Sequence, residues 1–366
     1  MELVVDIFLI ILSIQVAEFT LFNMFAFWAS KRPSHISKAE TCSFKIALVI
    51  PCYNEERIII EKLDNSFSAL SFNDESNVYV LDDSSNDDTF KLAEEYRHNH
   101  NMDNLFVWKN LEGKGKGKAL NWIFGKLNAD IIVVTDADAL LQENSICELI
   151  SNFNDPSVGA VTGRIVTRGK SNTMQKEEGL YRNLTDLWRK AESNLDSCSV
   201  FNGPLMAIRG ELVQRFKIDT STNCDDICIA YKVRRLGYRA VYEPNALVSE
   251  YISSSALVRA IQELRRARGL SRRTTQNIGV LGRFGYFGKI IYPFSLFNYV
   301  VAPILTIVLL SLLPFIIIKF FFLLLLLPFL LIPIIRIVVF GYLYRELSLF
   351  IALFTPSKIS WKPQRE

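Results

Sequence analysis

Histidine is scarce in this chain, with three in 366 residues, at positions 35, 98 and 100. That argues against His-driven acid–base catalysis and against a His-ligated metal centre. His98 and His100 fall in a polar stretch that reads as exposed and offer only a weak metal pair. The six cysteines, at 42, 52, 147, 198, 224 and 228, show no paired spacing. Cys224 and Cys228 could share a helix face but have no histidine beside them, so the cysteines read as buried thiols rather than disulfides or zinc ligands. Charge of one sign is lacking too: a net charge of +3 argues against a nucleic-acid partner held by bulk electrostatics. The N-terminal run has no basic n-region and no Ala-x-Ala-like end, so it reads as an uncleaved anchor rather than a signal peptide.

Apolar text at the two ends is what the chain has in quantity. Leu3 to Trp28 is long enough for a bilayer core, although Asp6, Gln15 and Glu18 interrupt it. The stretch "FFFLLLLLPFLLIPII", Phe320 to Ile335, is apolar on every side, which an ordinary soluble core does not accommodate. Lys31, Arg32 and Lys38 follow the first run while Glu2 and Asp6 precede it. The positive flank belongs inside, which puts the N-terminus outside and the central domain in the cytoplasm. The basic tail "KISWKPQRE" belongs inside as well and calls for an even number of C-terminal spans. Two fit, Lys289 to Leu313 and Phe315 to Phe340, with Pro328 and Pro333 kinking the second. The expected organisation is an anchor (1–30), a central domain (40–250), a basic helical region (251–285), membrane helices (286–345) and a cytoplasmic tail (346–366).

Between the apolar ends, short β-type runs alternate with helical ones. "FKIALVIP" reads as a buried strand, Glu55 to Leu70 as a helix, "NVYVLDD" as a strand and Thr89 to His98 as a helix. "NLFVW" is the next strand, Lys118 to Leu127 the next helix, and "ADIIVVTD" a further strand. Such alternation predicts a mostly parallel sheet covered on both faces, with ligands bound beyond the carboxyl ends of the strands. The stretch "LEGKGKGKALN", Leu111 to Asn121, opens one of these helices with three Gly-Lys pairs. A P-loop is excluded by spacing: Gly113 and Gly117 stand one position too close, and Ala119 follows Lys118 where Ser or Thr is needed.

Alone, that loop fits a solvated basic segment. Its neighbours change the reading: Asp82 and Asp83 end one strand, and Asp136 and Asp138 end another. Two acidic strand ends flanking a Lys-Gly loop suit transfer from a nucleotide diphosphate, whose leaving group carries heavy negative charge. Carboxylates alone would repel that group, so a divalent cation is implied, with a lysine of the loop facing the same phosphates.

At these positions the chain resembles the family 2 glycosyltransferases, in particular the membrane-bound branch that includes hyaluronan, chitin, cellulose and poly-N-acetylglucosamine synthases. The likeness runs in order from about Ala47 to Arg273. It implies a GT-A, Rossmann-like α/β domain with N-terminal and C-terminal transmembrane helices, inverting transfer without a covalent sugar intermediate, and Mg2+ or Mn2+ as cofactor. "IPCYNEE" is similar to the family's first strand and loop and implies that Pro51, Tyr53 and Glu55 lie near the base. "DDSSNDDT" implies that Asp83 meets the nucleotide. "GKGKALN" resembles G-K-x-x-A-L-N and assigns Lys116 to the phosphates. "DAD" implies Asp138 as metal ligand, with Asp136 on the donor side. "FNGPLMAIRGELV" resembles the acceptor-side segment around Gly203, and "CDDICIAYKVRRLGYRAVYEP" resembles the T-E-D stretch, which makes Asp226 the general base. "QELRRARG" falls where the family has Q-x-x-R-W, giving Gln262 and Arg265 on the donor side, and "WKPQR" is similar to the family's tail.

Two positions depart from the pattern. Cys224 and Asp225 stand for the Thr and Glu of T-E-D, with Asp225 on the acceptor side, and Arg266 stands for the acceptor-side Trp. Arg259, Arg265, Arg266, Arg268, Arg272 and Arg273 also alternate with Leu257, Ile261 and Leu264 at helical spacing, the pattern of a helix lying in the inner membrane surface. The expected partners are a nucleotide-sugar donor, a glycan or lipid-linked acceptor and membrane lipids, without nucleic acid. The expected location is the plasma membrane, as a multi-pass protein.

Overall fold

The computed structural model describes residues 2–34, 36–38, 44–168, 173–220, 225–251, 256–321 and 333–355. Cys42, Cys224, the Pro328 segment and the "WKPQR" tail lie outside the described residues.

The apolar alternation along the first strands decides the layering. In β1 (Ile46–Cys52) every residue is buried, and successive side chains point to opposite faces of the sheet. Ile46, Leu48 and Ile50 join one core with Ile59 and Leu63 of α2 (Ile59–Leu70) and Ala93 and Tyr96 of α3 (Thr89–Asn99). Ala47 and Val49 join another with Ala119, Leu120 and Ile123 of α4 (Lys116–Phe124). A strand apolar on both faces therefore carries helices on both, as the sequence predicts.

The eight strands run in the order β3-β2-β1-β4-β7-β6-β8-β5. Parallel pairing joins β1 to β2 (Ser76–Asp82) and to β4 (Ile131–Thr135), and β2 to β3 (Leu105–Lys109). Beyond β4 the pattern changes. β4 pairs antiparallel with β7 (Leu205–Arg209), β7 antiparallel with β6 (Val158–Arg168), β6 parallel with β8 (Arg239–Tyr251), and β8 antiparallel with the short β5 (Ala139–Leu141). The sheet is thus parallel in one half and mixed in the other. The remaining helices of this domain are α5 (Ser145–Ser151), α6 (Thr173–Leu195), α7 (Gly210–Val213) and α8 (Asp225–Arg235). The expected helix start at Glu55 is corrected to Ile59, because residues 56–58 form turns after Asn54, whose φ is +56°.

Among the described residues, two helices are long and apolar enough to cross a membrane: α1, Glu2–Ser30, and a helix over Phe287–Lys319 interrupted by π-helical turns. The second runs past the expected end at Leu313 because Pro314 is accommodated inside it. A further helix, Pro333–Phe354, runs past the expected span end at Phe340 and continues beyond position 345. Two of the polar interruptions of α1, Gln15 and Glu18, have partners. Gln15 Nε2 donates to the Ala302 carbonyl (3.0 Å) and to Thr306 Oγ1 (2.9 Å), and Glu18 accepts from Asn298 (2.8 Å). Trp188 Nε1 of α6 donates to Asn23 of α1 at 3.0 Å.

The basic helix is present as α9, Ala256–Gln276, but its surroundings differ from a helix lying only on lipid. Ala267 and Leu270 pack with Leu349, Ala352 and Tyr299. Arg273, 3 % exposed, is held by Asp219 (2.6 Å), and Arg268 donates to Thr355 (2.9 Å). Arg273 thus ties α9 to the segment after α7, and Arg268 ties it to the end of the Pro333–Phe354 helix, instead of facing headgroups.

Candidate active site

The loops at the carboxyl ends of β1, β2, β3 and β4 meet in a continuous set of contacts. Asp83, just past β2, is buried. One of its carboxylate oxygens accepts from Asn110 Nδ2 and the other from the backbone N–H of Gly115, both at 2.7 Å. Gly115 has φ +132°, a conformation that L side chains rarely adopt, and it opens α4. Lys116, the first residue of that helix, places its ammonium 2.6 Å from Asp136. The Lys-Gly loop is thereby tied to both acidic strand ends. Burial raises the Asp83 carboxyl above the usual carboxylate value, while the Asn110 and Gly115 bonds oppose the shift. Tyr53 follows β1 with the Lys114 ammonium 3.7 Å from its ring centre. Glu55 is buried, with its N–H donating to Thr89 Oγ1 (2.7 Å), and Pro51 sits within β1 opposite Leu81.

Asp136 and Asp138 converge with a third carboxylate absent from the sequence expectation. Oxygens of Asp136, Asp138 and Glu250 all lie within 4.8 Å of one another. The antiparallel pairing of β5 with β8 sets Ala139 opposite Glu250, which brings an acid more than 100 residues away beside the D-A-D turn. An all-oxygen set of three carboxylates fits a hard divalent cation such as Mg2+ or Mn2+. Burial raises the pKa of Glu250 first; Arg182, at 3.3 Å, opposes the shift, as does Arg266 more weakly.

The expected acceptor-side residues are joined to this cluster through the backbone. The Asp136 N–H donates to the carbonyl of Pro204 (3.4 Å), and the preceding Gly203 lies against Asp226: a Cβ at Gly203 would meet Asp226 Oδ2 at 3.4 Å. Asp226 lies in the first turn of α8 and accepts from the Ile227 N–H at 2.8 Å. Asp225 opens the same helix. The loop leading to Gly203 is pinned by Glu192, whose carboxylate accepts from Ser199 N–H (2.7 Å) and Ser199 Oγ (3.0 Å). Burial moves Glu192 up to about 7 against those bonds. Asn202 adds bonds to Thr162 Oγ1 and to the Gly163 carbonyl.

Gln262 and Arg265 lie half-buried on α9, and among the described residues neither hydrogen-bonds to Lys116, Asp136 or Asp226. Arg266 is exposed, with Glu263 at 4.0 Å. Sequence reasoning missed Asn110, Arg182 and Glu250. Asn110 carried a local signal, since it directly follows β3, while the other two depend on strand and helix pairing across long separations.

The family model described as "Glycosyltransferase like family 2" matches residues 44–269. Hyaluronan synthase of Streptococcus pyogenes is 32% identical over 224 residues, 57% of this chain and 53% of that protein. Poly-beta-1,6-N-acetyl-D-glucosamine synthase of Staphylococcus aureus (strain COL) is 29% identical over 205 residues, 55% of this chain and 48% of that one. The chain thus spans about half the length of the curated relatives it matches. Among solved structures, the mannosyltransferase PcManGT from Pyrobaculum calidifontis, in complex with GDP-Man and Mn2+, superposes with a TM-score of 0.80. It is 24% identical, over 96% of this chain and 97% of that one. The shared architecture is the GT-A, Rossmann-like α/β fold.

Proposed function

Because the chain belongs to glycosyltransferase-like family 2, we propose that it moves a sugar from a nucleotide-diphosphate donor, with UDP as the nucleotide, onto a glycan acceptor with inversion at the anomeric carbon. The observation that carries this reading is the unbroken run of contacts Asp83–Gly115–Lys116–Asp136, joined through Pro204 and Gly203 to Asp226.

In this reading Tyr53, Pro51 and Glu55 flank the base, and Asp83, oriented by Asn110, meets the nucleoside. Lys116 and Arg265 place positive charge beside the departing diphosphate, and Gln262 lies on the same side. Asp226 takes the proton of the attacking acceptor hydroxyl; Gly203 leaves its carboxylate room, and Asp225 and Arg266 lie towards the acceptor. A Mg2+ or Mn2+ ion held by Asp138, with Asp136 and Glu250, would offset charge on the diphosphate.

The protein acts as a multi-pass enzyme of the plasma membrane with its catalytic domain in the cytoplasm. Lys31 and Arg32 support that orientation: they cap the apolar length of α1 and sit over Phe27 (4.1 Å) and Trp28 (3.8 Å). A donor panel of UDP-glucose, UDP-N-acetylglucosamine, UDP-glucuronate and GDP-mannose, assayed in membranes, tests the reading. Metal-dependent transfer from one UDP-sugar is expected, and a preference for GDP-mannose overturns the nucleotide assignment.

A cavity supports a second reading, transfer to a polyprenyl phosphate. It is lined by Phe22, Trp188, Leu270 and Phe294 together with Arg189 and Tyr299, where α1, α6, α9 and the Phe287–Lys319 helix meet. Label recovered in the lipid extract rather than in polymer selects this acceptor.

A further inference from the structure

Lys62 belongs to none of the family motifs. In "IIIEKLDN" it reads as an ordinary charged residue of an amphipathic helix, yet its side chain is 0 % exposed. Taking an ammonium out of water costs several kcal/mol, roughly, unless polar partners replace the solvent. Its partners are specific. Lys62 Nζ donates to Thr135 Oγ1 at 2.8 Å and to the carbonyl of Ala139.

Thr135 is the last residue of β4 and Ala139 the first of β5. The two acceptors therefore bracket the turn Asp136-Ala137-Asp138, and the lysine holds both ends of it from the α2 side of the sheet. Asn65, nearly one helical turn further along α2, grips the same short strand: it donates to the Leu141 carbonyl and accepts from the Leu141 N–H, both at 2.8 Å. β5 has three residues and, among the described residues, pairs only with β8. A strand that short has little hold of its own, and α2 supplies the rest.

We propose that Lys62 is a positioning residue for the cation site: by fixing the two ends of the Asp136–Asp138 turn it sets these carboxylates at the spacing from Glu250 that a divalent ion requires. It touches neither donor nor acceptor and acts through Thr135 and Ala139. The inference rests on the reading of the carboxylate cluster as a cation site. Burial draws the Lys62 pKa down to about 7 while Asp136 and Asp138 pull it back up, so the charge and the cluster it serves interact.

Direct Mn2+ binding to the detergent-solubilised full chain, followed by the paramagnetic signal of free Mn2+, tests this without relying on turnover. Lys62→Met keeps the apolar length and loses the donor. It should weaken Mn2+ binding by roughly 10- to 100-fold, the range for groups that orient metal ligands. Activity should then show a raised Mn2+ requirement, with kcat at saturating Mn2+ changed less. Thr135→Val, nearly isosteric, should move binding the same way by a smaller factor, and it decides the matter if Lys62→Met does not fold. Unchanged Mn2+ binding in a folded variant overturns the proposal. Tighter binding also overturns it, because that is the sign expected if the lysine merely repelled the ion. Failure of the unmodified protein to bind Mn2+ instead removes the cation-site reading beneath it.

Discussion

The two halves of the sheet solve the same problem in different ways. In the parallel half, β3-β2-β1-β4, each strand is followed by a loop, and consecutive loops place Tyr53, Asp83, Lys116 and Asp136 side by side. Position follows from chain order, because parallel strands joined by helices bring their carboxyl ends to one edge. In the mixed half the neighbours are distant in sequence: Glu250 meets Asp138 through β5–β8 pairing, and Asp226 meets Gly203 across a helix and a loop. In the proposed reading the first half holds the nucleotide by its local grammar, whereas the second assembles the chemistry from long-range packing. Donor recognition and catalysis should therefore be separable by mutation.

The largest expected effect lies in the second half. Asp226→Asn keeps shape but cannot take a proton, so transfer should fall by ~10²- to 10⁴-fold while donor affinity stays near that of the unmodified protein. Near-normal turnover, measured beside donor binding, would remove Asp226 as the base. Next come Asp138→Asn and Glu250→Gln, which should each weaken Mn2+ binding by roughly tenfold or more, since groups that only orient ligands already carry that much. If Glu250→Gln binds Mn2+ normally, the site draws only on the D-A-D turn and the two halves do not share it.

A smaller effect is expected in the parallel half. Asn110→Ala frees one oxygen of Asp83 from its bond and should raise the donor dissociation constant roughly tenfold with kcat nearly unchanged. A fall in kcat with unchanged donor binding would contradict the separation.

The smallest is a pH effect on stability through Glu192. Its folded pKa of about 7 lies above the ordinary 4.5, so between these values the native chain holds a proton that the unfolded chain has released. That contribution is complete below about 4.5 and is lost as pH rises through about 7. Glu192→Gln should flatten the decline in melting temperature over this interval, and a decline of unchanged slope assigns the effect to another group.

The same division governs what could be read in advance. β1 to β4 and the helices between them are legible because apolar residues recur at strand and helix periods, and Asp83, Lys116 and Asp138 stand at the breaks. Glu250 was hidden because its place depends on the register of a three-residue strand. Lys62 was hidden for a different reason: a lysine among apolar residues at helical spacing is ordinarily solvated, and only the turn it grips explains its burial. The start of α2 was read too early because Glu55 and Glu56 resemble a helical first turn, whereas Asn54 accepts from Asn86 and holds the chain in a loop.

The hydrogen bonds of α1 also impose an order of events on biosynthesis. Gln15 finds its acceptors 287 and 291 residues later, and Asn23 finds Trp188 165 residues later. In the proposed membrane topology this helix enters the bilayer during translation, long before those partners exist, carrying amide and carboxyl groups that hydrocarbon solvates poorly. There its polar seam closes only once the Phe287–Lys319 helix has been made. In that topology a chain halted before that point would hold a polar-seamed helix with nothing to close it.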